Sequence, residues 1–255
     1  MVPALRADNL AGKMDQQEPS TPSERETILA RGEVAEIAQV LSGSNLVFQV
    51  RLESQGASLT AVYKPARGER PLWDFPPGTL YRREAATYLV DRALGWDLVP
   101  VTVARPEGPL GAGSMQQWVP EPPEGAAPDR LQLEGELRRL AALDVLVNNA
   151  DRKAGHLLLA PGLRLQGIDH GVTFSPEFKL RTVLADLGGE PVPEAVLADL
   201  SSLLDDRRRL GTLELGLLQL LTREEVAAFR RRARELRRSA RYPLLHPFWG
   251  RPFGP

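Results

Sequence analysis

The sequence contains no cysteine and only three histidines. Without cysteine the chain cannot form disulfides, thiolate zinc sites or iron–sulfur clusters, and it has no thiol nucleophile. Three histidines are too few for a histidine-rich metal site. These two absences exclude thiol chemistry and the metal centres that depend on it.

Lysine is also scarce, because the chain has four lysines beside twenty-eight arginines. Where arginine is the usual cation, a lysine is expected at positions that need the chemistry of a compact ammonium group. Lys64 is therefore a candidate for such a position.

The sequence has no long apolar run and no excess of one charge. No segment approaches the roughly 20 apolar residues needed to cross a bilayer, and residues 1–20 lack the apolar core of a signal peptide. The net charge of −1 creates no field that would draw the chain to nucleic acid or acidic lipid. We therefore expect a cytoplasmic protein with no membrane span and no nucleic-acid partner.

What is present is an ordinary globular composition with a clear change of pattern along the chain. Hydrophobic residues make up 42% of the 255 residues, enough for a substantial core. Thr21-Pro22-Ser23-Glu24 predicts a capped helix start. Beyond it, strand-like runs and one amphipathic run predict the order β-β-β-α-β-β over residues 33–119. Their predicted bounds are 33–41, 45–53, 58–65, 80–94, 98–105 and 113–120.

A proline-, glycine- and acid-rich segment at 120–129 separates this half from a mainly helical one. An amphipathic helix follows it, then a hairpin turned by Pro161-Gly162, then helices over 193–206 and 222–241. We predict an α+β chain of two lobes. Its parts are a flexible N-terminus (1–20), a small antiparallel β N-lobe with a lead helix and one further helix (21–119), a hinge (120–130) and a helical C-lobe with a catalytic hairpin (131–255).

Asp151, His156 and Asp169 form the strongest candidate cluster. Asp151 follows the amphipathic helix, His156 begins the hairpin and Asp169 ends it. Because the hairpin returns the chain, the three side chains are expected to converge on one cleft. Two carboxylates there would hold magnesium and orient an attacking hydroxyl, as phosphoryl transfer requires. The alternative is that they are a helix-capping aspartate and two turn residues.

Lys64 and Glu84 form the second candidate group. Lys64 ends the third predicted strand, where its ammonium could reach nucleotide phosphates. Glu84 lies on the following helix and could pair with Lys64. The alternative is that both are surface charges. Together with the two downstream aspartates, the order Lys, Glu, Asp, Asp matches a kinase-type active site.

Two weaker signals complete the candidate nucleotide site. Ser42, Gly43 and Ser44 join the first two predicted strands and could bring backbone N–H groups to phosphates, although a plain hairpin turn explains them as well. Gln117, Trp118 and Val119 precede the predicted hinge, where backbone groups could contact adenine. The alternative there is an ordinary strand with Trp118 in the core.

Several of these motifs resemble one family. "VYKP", "YRREAATYLVDRALGWDLVP", "GSMQQWVP", "NNADRKAGH" and "GIDHG" are similar to motifs of the bacterial phosphatidylinositol 3-/4-kinase-like and HipA-like atypical kinases, over roughly residues 33–245. The resemblance implies a bilobal protein-kinase-like fold, ATP with Mg²⁺ or Mn²⁺, and phosphotransferase activity. It implies that Lys64 binds phosphate, Glu84 holds Lys64, Asp151 is the catalytic acidic residue and Asp169 binds metal.

The sequence departs from the wider group at two positions. That group has His after the Asp-Arg pair and Asn five residues after the Asp, where this chain has Lys153 and His156. We take Lys153 as a candidate for neutralising the transferring phosphate. His156 is a candidate metal ligand or catalytic residue.

The predicted activity is transfer of phosphate to a hydroxyl of an unidentified protein, small molecule or lipid head group. The same cleft could instead belong to a nucleotide-binding pseudokinase that regulates a partner, or to a nucleotidyl transferase.

Overall fold

The computed structural model describes Pro19, residues 21–40 and residues 46–245. Its first part is a five-stranded antiparallel sheet of β1 (Glu33–Val40), β2 (Val47–Ser54), β3 (Ala57–Pro65), β4 (Thr102–Arg105) and β5 (Gly113–Gln117). The strand order in the sheet is β1-β2-β3-β5-β4. The predicted element order of this half is confirmed.

Helix α1 (Pro22–Arg31) begins as the sequence predicts. The Thr21 hydroxyl accepts from the Glu24 N–H at 3.2 Å, and the Glu24 carboxylate accepts from the Thr21 N–H at 3.0 Å. This reciprocal pair satisfies two donors that a helix start would otherwise leave free. Ile28 and Leu29 of α1 join the hydrophobic core of the sheet. The capping box therefore fixes the helix that covers one face of the sheet.

Helix α2 (Leu80–Leu94) lies between β3 and β4 in the chain and packs against the sheet on one side and later helices on the other. It ends at Gly95, whose φ of 73° lies in the left-handed region that glycine adopts without strain. Arg83 of α2 is 2% exposed. Its guanidinium lies 2.6 Å from the Glu225 carboxylate and donates to the Thr173 carbonyl at 2.9 Å. A buried ion pair thus fixes α2 against the second half of the chain.

Over residues 130–245, the described part of the second half contains four α-helices and a short hairpin. They are α3 (Arg130–Val147), β6 (Leu157–Leu159), β7 (Leu165–Gly167), α4 (Glu194–Asp205), α5 (Arg207–Leu218) and α6 (Arg223–Ser239). The predicted hairpin is confirmed, as is the capping box of Thr222 and Glu225 on α6. This antiparallel sheet followed by a helical part confirms the α+β prediction.

Helix α5 is the element that the sequence analysis missed. Asp206 caps it by accepting from the Arg208 and Arg209 N–H groups. Leu210, Leu213 and Leu217 form its buried stripe. The spacing of these leucines and the aspartate before them indicate a helix in the sequence. Only one residue separates α4 from α5, however, so the apolar patterns of the two helices run together.

Residues 118–129 form no helix or strand, and the hinge and lobe boundaries stay predictions. Among the residues that the structure describes, no helix is long and apolar enough to cross a membrane.

Strand β4 begins at Thr102, four residues later than predicted. The Leu98 and Val99 N–H groups donate instead to the Asp91 carboxylate on α2, at 3.0 and 3.1 Å. Asp91 is 1% exposed. Burial raises its pKa to about 7, although the two backbone bonds lower it. A buried carboxylate therefore replaces strand pairing in this segment.

We expect stability to depend on pH through Asp91. The folded state keeps this proton up to about pH 7, whereas the unfolded chain loses it near 3.8. Its contribution to stability is thus complete below about pH 4 and is lost as the pH rises through 7. Asp91→Asn cannot titrate, so its stability relative to wild type should rise between pH 5 and pH 8 in urea unfolding. An identical difference at both pH values would contradict this assignment.

Candidate active site

Lys64 lies at the centre of a network of carboxylates. Its Nζ lies 2.5 Å from Glu84 Oε1 and 3.1 Å from Asp169 Oδ1. The alternation of β3 buries Tyr63 on one face of the sheet and directs Lys64 to the other. Glu84 is 2% exposed, and its second oxygen accepts from the His170 N–H at 2.9 Å. The side chains of Lys64 on β3 and Glu84 on α2 therefore bond to each other and to the segment that follows β7.

Lys64 and Asp169 hold each other in their charged forms. Burial lowers the pKa of Lys64, but the Asp169 and Glu84 carboxylates outweigh it and raise that pKa overall. In return, Lys64 holds the pKa of Asp169 well below its usual range. The Asp169 side chain keeps 44% of its surface exposed. A fully ionised carboxylate thus remains open to a ligand.

The backbone at Asp169 is strained. Its φ of 61° lies in the left-handed region that non-glycine residues rarely adopt. The neighbouring backbone holds it there, since the Ile168 N–H donates to the His156 carbonyl at 3.0 Å. At Gly171 a Cβ would lie 3.3 Å from Leu80 Cβ, which is tighter than most Cβ contacts, so a larger residue there would have to displace Leu80 slightly. Strain of this kind concentrates at functional sites.

Asp151 lies just beyond α3. Asn148 ends that helix with a φ of 56°, and the Asn149 side chain accepts from the Asp151 N–H at 3.0 Å. The nearest cation to the Asp151 carboxylate is Lys153, whose Nζ lies 3.6 Å from Oδ2. Burial raises the pKa of Asp151, and the charge of Asp169 adds to this rise, while Lys153 and His156 oppose it. A raised pKa makes a carboxylate a better proton acceptor.

His156 lies between the Asp151 loop and Asp169. Its Nε2 is 3.2 Å from Asp169 Oδ2, and its Nδ1 accepts from the Lys153 backbone N–H at 3.3 Å. Burial lowers the pKa of His156. The structure therefore brings together five candidates from the sequence, which are Lys64, Glu84, Asp151, His156 and Asp169, with Lys153 at the edge.

Arg152 and Asp144 are the residues of this site that sequence analysis missed. Both side chains are fully buried. The Arg152 guanidinium donates to Asp144 Oδ1 at 2.9 Å and to the Ile168 carbonyl at 2.7 Å. The pair thus holds the Asp151 loop against both α3 and the residue before Asp169. The Asp151-Arg152 dipeptide was the signal in the sequence, but nothing in the sequence identifies Asp144 on α3 as the partner of Arg152.

Two of the three residues predicted to contact adenine, Gln117 and Trp118, already use their backbone N–H groups in other hydrogen bonds. The Gln117 and Trp118 N–H groups donate to the Val101 and Thr60 carbonyls at 2.8 and 3.0 Å. Both donors are therefore engaged within the sheet, and a backbone donor to adenine would have to come from Val119. Trp118 is half-buried rather than part of the core. Ser42, Gly43 and Ser44 lie outside the described residues.

The residues fit a divalent cation that also binds nucleotide. Asp169 offers an ionised, partly exposed carboxylate. Across the described part of the chain, no three His, Asp or Glu side chains form a ready cluster for a metal. A site with one or two carboxylates suits Mg²⁺ or Mn²⁺, which take their remaining ligands from phosphates and water.

If the cleft binds ATP, as the family resemblance implies, Lys64→Met should weaken that binding roughly 10–100-fold, because a hydrogen bond to a charged group contributes about 1.5–3 kcal/mol. It should also lower the unfolding temperature, since it leaves the buried Glu84 carboxylate without a counter-charge. Lys64→Arg should fail as well, because a planar fork does not replace a compact ammonium. Calorimetry with ATP and thermal unfolding measure the two effects.

The double variant Lys64→Met/Glu84→Gln separates the effect on ATP binding from the effect on stability. It should recover stability but not ATP binding. Lys179→Met is the matched control, because Lys179 is also half-buried and ion-paired, to Asp74 at 2.9 Å. Normal ATP binding by Lys64→Met would mean that Lys64 is only a structural cation.

Comparison with solved structures assigns the fold. A crystal structure of the Golgi casein kinase with Mn and ADP bound aligns with a TM-score of 0.60 and 14% identity, over 86% of this chain and 75% of the other. The Helicobacter pylori proinflammatory kinase CtkA aligns with a TM-score of 0.52 and 10% identity, over 84% and 94%. A hydra Fam20 with sugar gives 0.50 and 14%, over 86% and 88%. At these identities the likeness shows a kinase-like fold.

Comparison at the level of sequence gives the family. No family model matches the chain. Protein Rv2133c of Mycobacterium tuberculosis (strain ATCC 25618 / H37Rv) is 38% identical in an alignment 245 positions long, which covers 82% of this chain and 87% of the relative. The chain belongs to the same family as Rv2133c.

Proposed function

We propose that this protein is an ATP- and divalent-metal-dependent phosphotransferase of the atypical, phosphatidylinositol 3-/4-kinase-like class. The observation that carries the proposal is the position of Lys64, which forms ion pairs with both Glu84 and Asp169. Phosphoryl transfer needs positioned charge around the phosphates and a base at the attacking oxygen, and this cleft supplies both.

Each residue of the site has a distinct role in this proposal. Lys64 binds nucleotide phosphate, and Glu84 fixes its direction. Asp169 would hold Mg²⁺ or Mn²⁺ together with the nucleotide. That ion would neutralise charge on the phosphates. Asp151 accepts the proton of the acceptor hydroxyl while the oxygen of that hydroxyl bonds to the γ-phosphorus and ADP leaves. Lys153 offsets negative charge on the phosphoryl group that is being transferred.

The acceptor is proposed as a hydroxyl of a protein or small molecule. The solved relatives by fold include a casein kinase and a Fam20 protein with sugar, which supports testing protein and sugar hydroxyls first. A lipid head group is the third arm of the same assay. Transfer from radiolabelled ATP to one class of acceptor, and not to the others, would identify the class.

Binding of a non-hydrolysable ATP analogue tests the proposal before any acceptor is known. Calorimetry should detect binding that strengthens when Mn²⁺ is added. Asp169→Ala should remove the Mn²⁺-dependent part, because it deletes the proposed ligand. Asp205→Ala, which removes an exposed carboxylate on α4, should change nothing. No binding at millimolar analogue, with or without Mn²⁺, would overturn the proposed function.

A further inference from the structure

Both ring nitrogens of His156 are already engaged. Nδ1 lies 3.3 Å from the Lys153 backbone nitrogen. Because a backbone N–H can only donate, Nδ1 is the unprotonated acceptor of the ring. Nε2, which is 3.2 Å from Asp169 Oδ2, then carries the hydrogen and donates it to the carboxylate. The hydrogen bonds assign a single tautomer.

The backbone holds the ring in this position. The His156 N–H donates to the Lys153 carbonyl at 3.1 Å, and the His156 carbonyl accepts from the Ile168 N–H at 3.0 Å. The imidazole is therefore fixed between the Asp151 loop and the residue before Asp169. Turning the ring over would break both of its side-chain bonds.

This tautomer cannot ligate a cation in the cleft. A metal binds the lone pair of an unprotonated ring nitrogen, and here that lone pair points at the Lys153 N–H. Moving the hydrogen from Nε2 to Nδ1 would set two donors against each other and would release Asp169. Imidazole is in any case a poor ligand for a hard cation beside carboxylate oxygens.

Asp169 has few lone-pair sites left with which to bind a cation. Its Oδ1 accepts from Lys64 and its Oδ2 from His156, so about half of its roughly four lone-pair sites are used. Building on the proposed function, we propose that the site binds one divalent cation with the nucleotide, at Asp169. His156, whose two ring nitrogens are both hydrogen-bonded, offers no ligand to a second cation and acts as a positioning residue for Asp169.

Counting bound Mn²⁺ in the presence of adenylyl imidodiphosphate tests this inference. Electron paramagnetic resonance titration of the full chain should give one nucleotide-dependent Mn²⁺ per protein. Pulsed measurements should find no histidine nitrogen coupled to that ion. Neither readout requires turnover.

Two substitutions at His156 make the test specific. His156→Asn supplies an oxygen ligand and should raise the count to two. His156→Leu removes the donor without supplying a ligand, so the count should stay at one. The Leu variant should bind that ion roughly 10–100-fold more weakly, as typically happens when a partner of a metal ligand is lost.

The outcomes separate this inference from the proposed function. Two Mn²⁺ ions in the wild type, or a histidine nitrogen coupling that disappears in His156→Leu, would overturn the single-cation site and leave the proposed function standing. An unchanged Mn²⁺ affinity in His156→Leu would overturn the positioning role. Absence of any nucleotide-dependent Mn²⁺ binding would overturn both. The wild-type spectra decide the matter even where a variant fails to fold.

Discussion

Asp151→Asn is expected to bind ATP almost normally and to lose turnover by about 10²–10⁴-fold, the usual contribution of a positioned general base. Asn has the shape of Asp but cannot accept the proton of an attacking hydroxyl. Its backbone N–H can still donate to the Asn149 side chain, so the loop should keep its position. Turnover at saturating ATP and calorimetric ATP affinity separate the two effects.

Asp205→Asn provides the control for this substitution, because it makes the same chemical change at an exposed carboxylate of α4. It should leave both quantities unchanged. An Asp151→Asn variant with wild-type turnover would show that this carboxylate is not the base. A variant that instead loses ATP binding would assign Asp151 to the nucleotide site.

Asp144→Ala is expected to have the largest effect on stability, a loss of about 3–5 kcal/mol in the free energy of unfolding. The substitution leaves the Arg152 guanidinium buried without its counter-charge, and both side chains are 0% exposed. It also removes the acceptor for the Asn149 side chain, which donates to Asp144 at 3.0 Å. Urea unfolding of the wild type and variant measures the loss.

Replacing both partners distinguishes charge from packing. Asp144→Leu/Arg152→Met should recover much of the lost stability, because no unpaired charge remains. It should not recover turnover, since the bond from Arg152 to the Ile168 carbonyl is gone. Glu134→Ala breaks an exposed pair on the same helix, with Arg138, and should cost about 0.5 kcal/mol or less. A loss below 1 kcal/mol in Asp144→Ala would contradict the account of this pair.

Local patterns in the sequence predicted most of the fold. The capping residues Thr21 and Thr222 set the starts of two helices, and Pro161-Gly162 set the turn of the hairpin. These signals are readable because each acts within a few residues. The strand order also follows from short connections, except that β5 lies between β3 and β4. The order of Lys64, Glu84, Asp151 and Asp169 was enough to predict that they share one cleft.

The rest depends on contacts between distant parts of the chain. Arg83 could be taken for a surface cation until its partner on α6, Glu225, was known. In the same way the sequence gives no sign that Asp91 would bind the Leu98 and Val99 N–H groups and shorten β4. The role of His156 is the sharpest case. Its place in the motif left a metal ligand and a catalytic residue both open, and only the positions of Lys153 and Asp169 reveal which ring nitrogen carries the hydrogen.

Phosphorus NMR of ATP incubated with the full chain tests the central claim most directly. With Mg²⁺ or Mn²⁺ and a panel of protein, sugar and lipid hydroxyl acceptors, we expect the γ-phosphate signal to decline. ADP and one new phosphoester should appear, and Asp151→Asn should suppress both. If wild type binds ATP but neither ATP nor any acceptor changes, and Asp151→Asn makes no difference, the cleft is a nucleotide sensor and the protein is not a phosphotransferase.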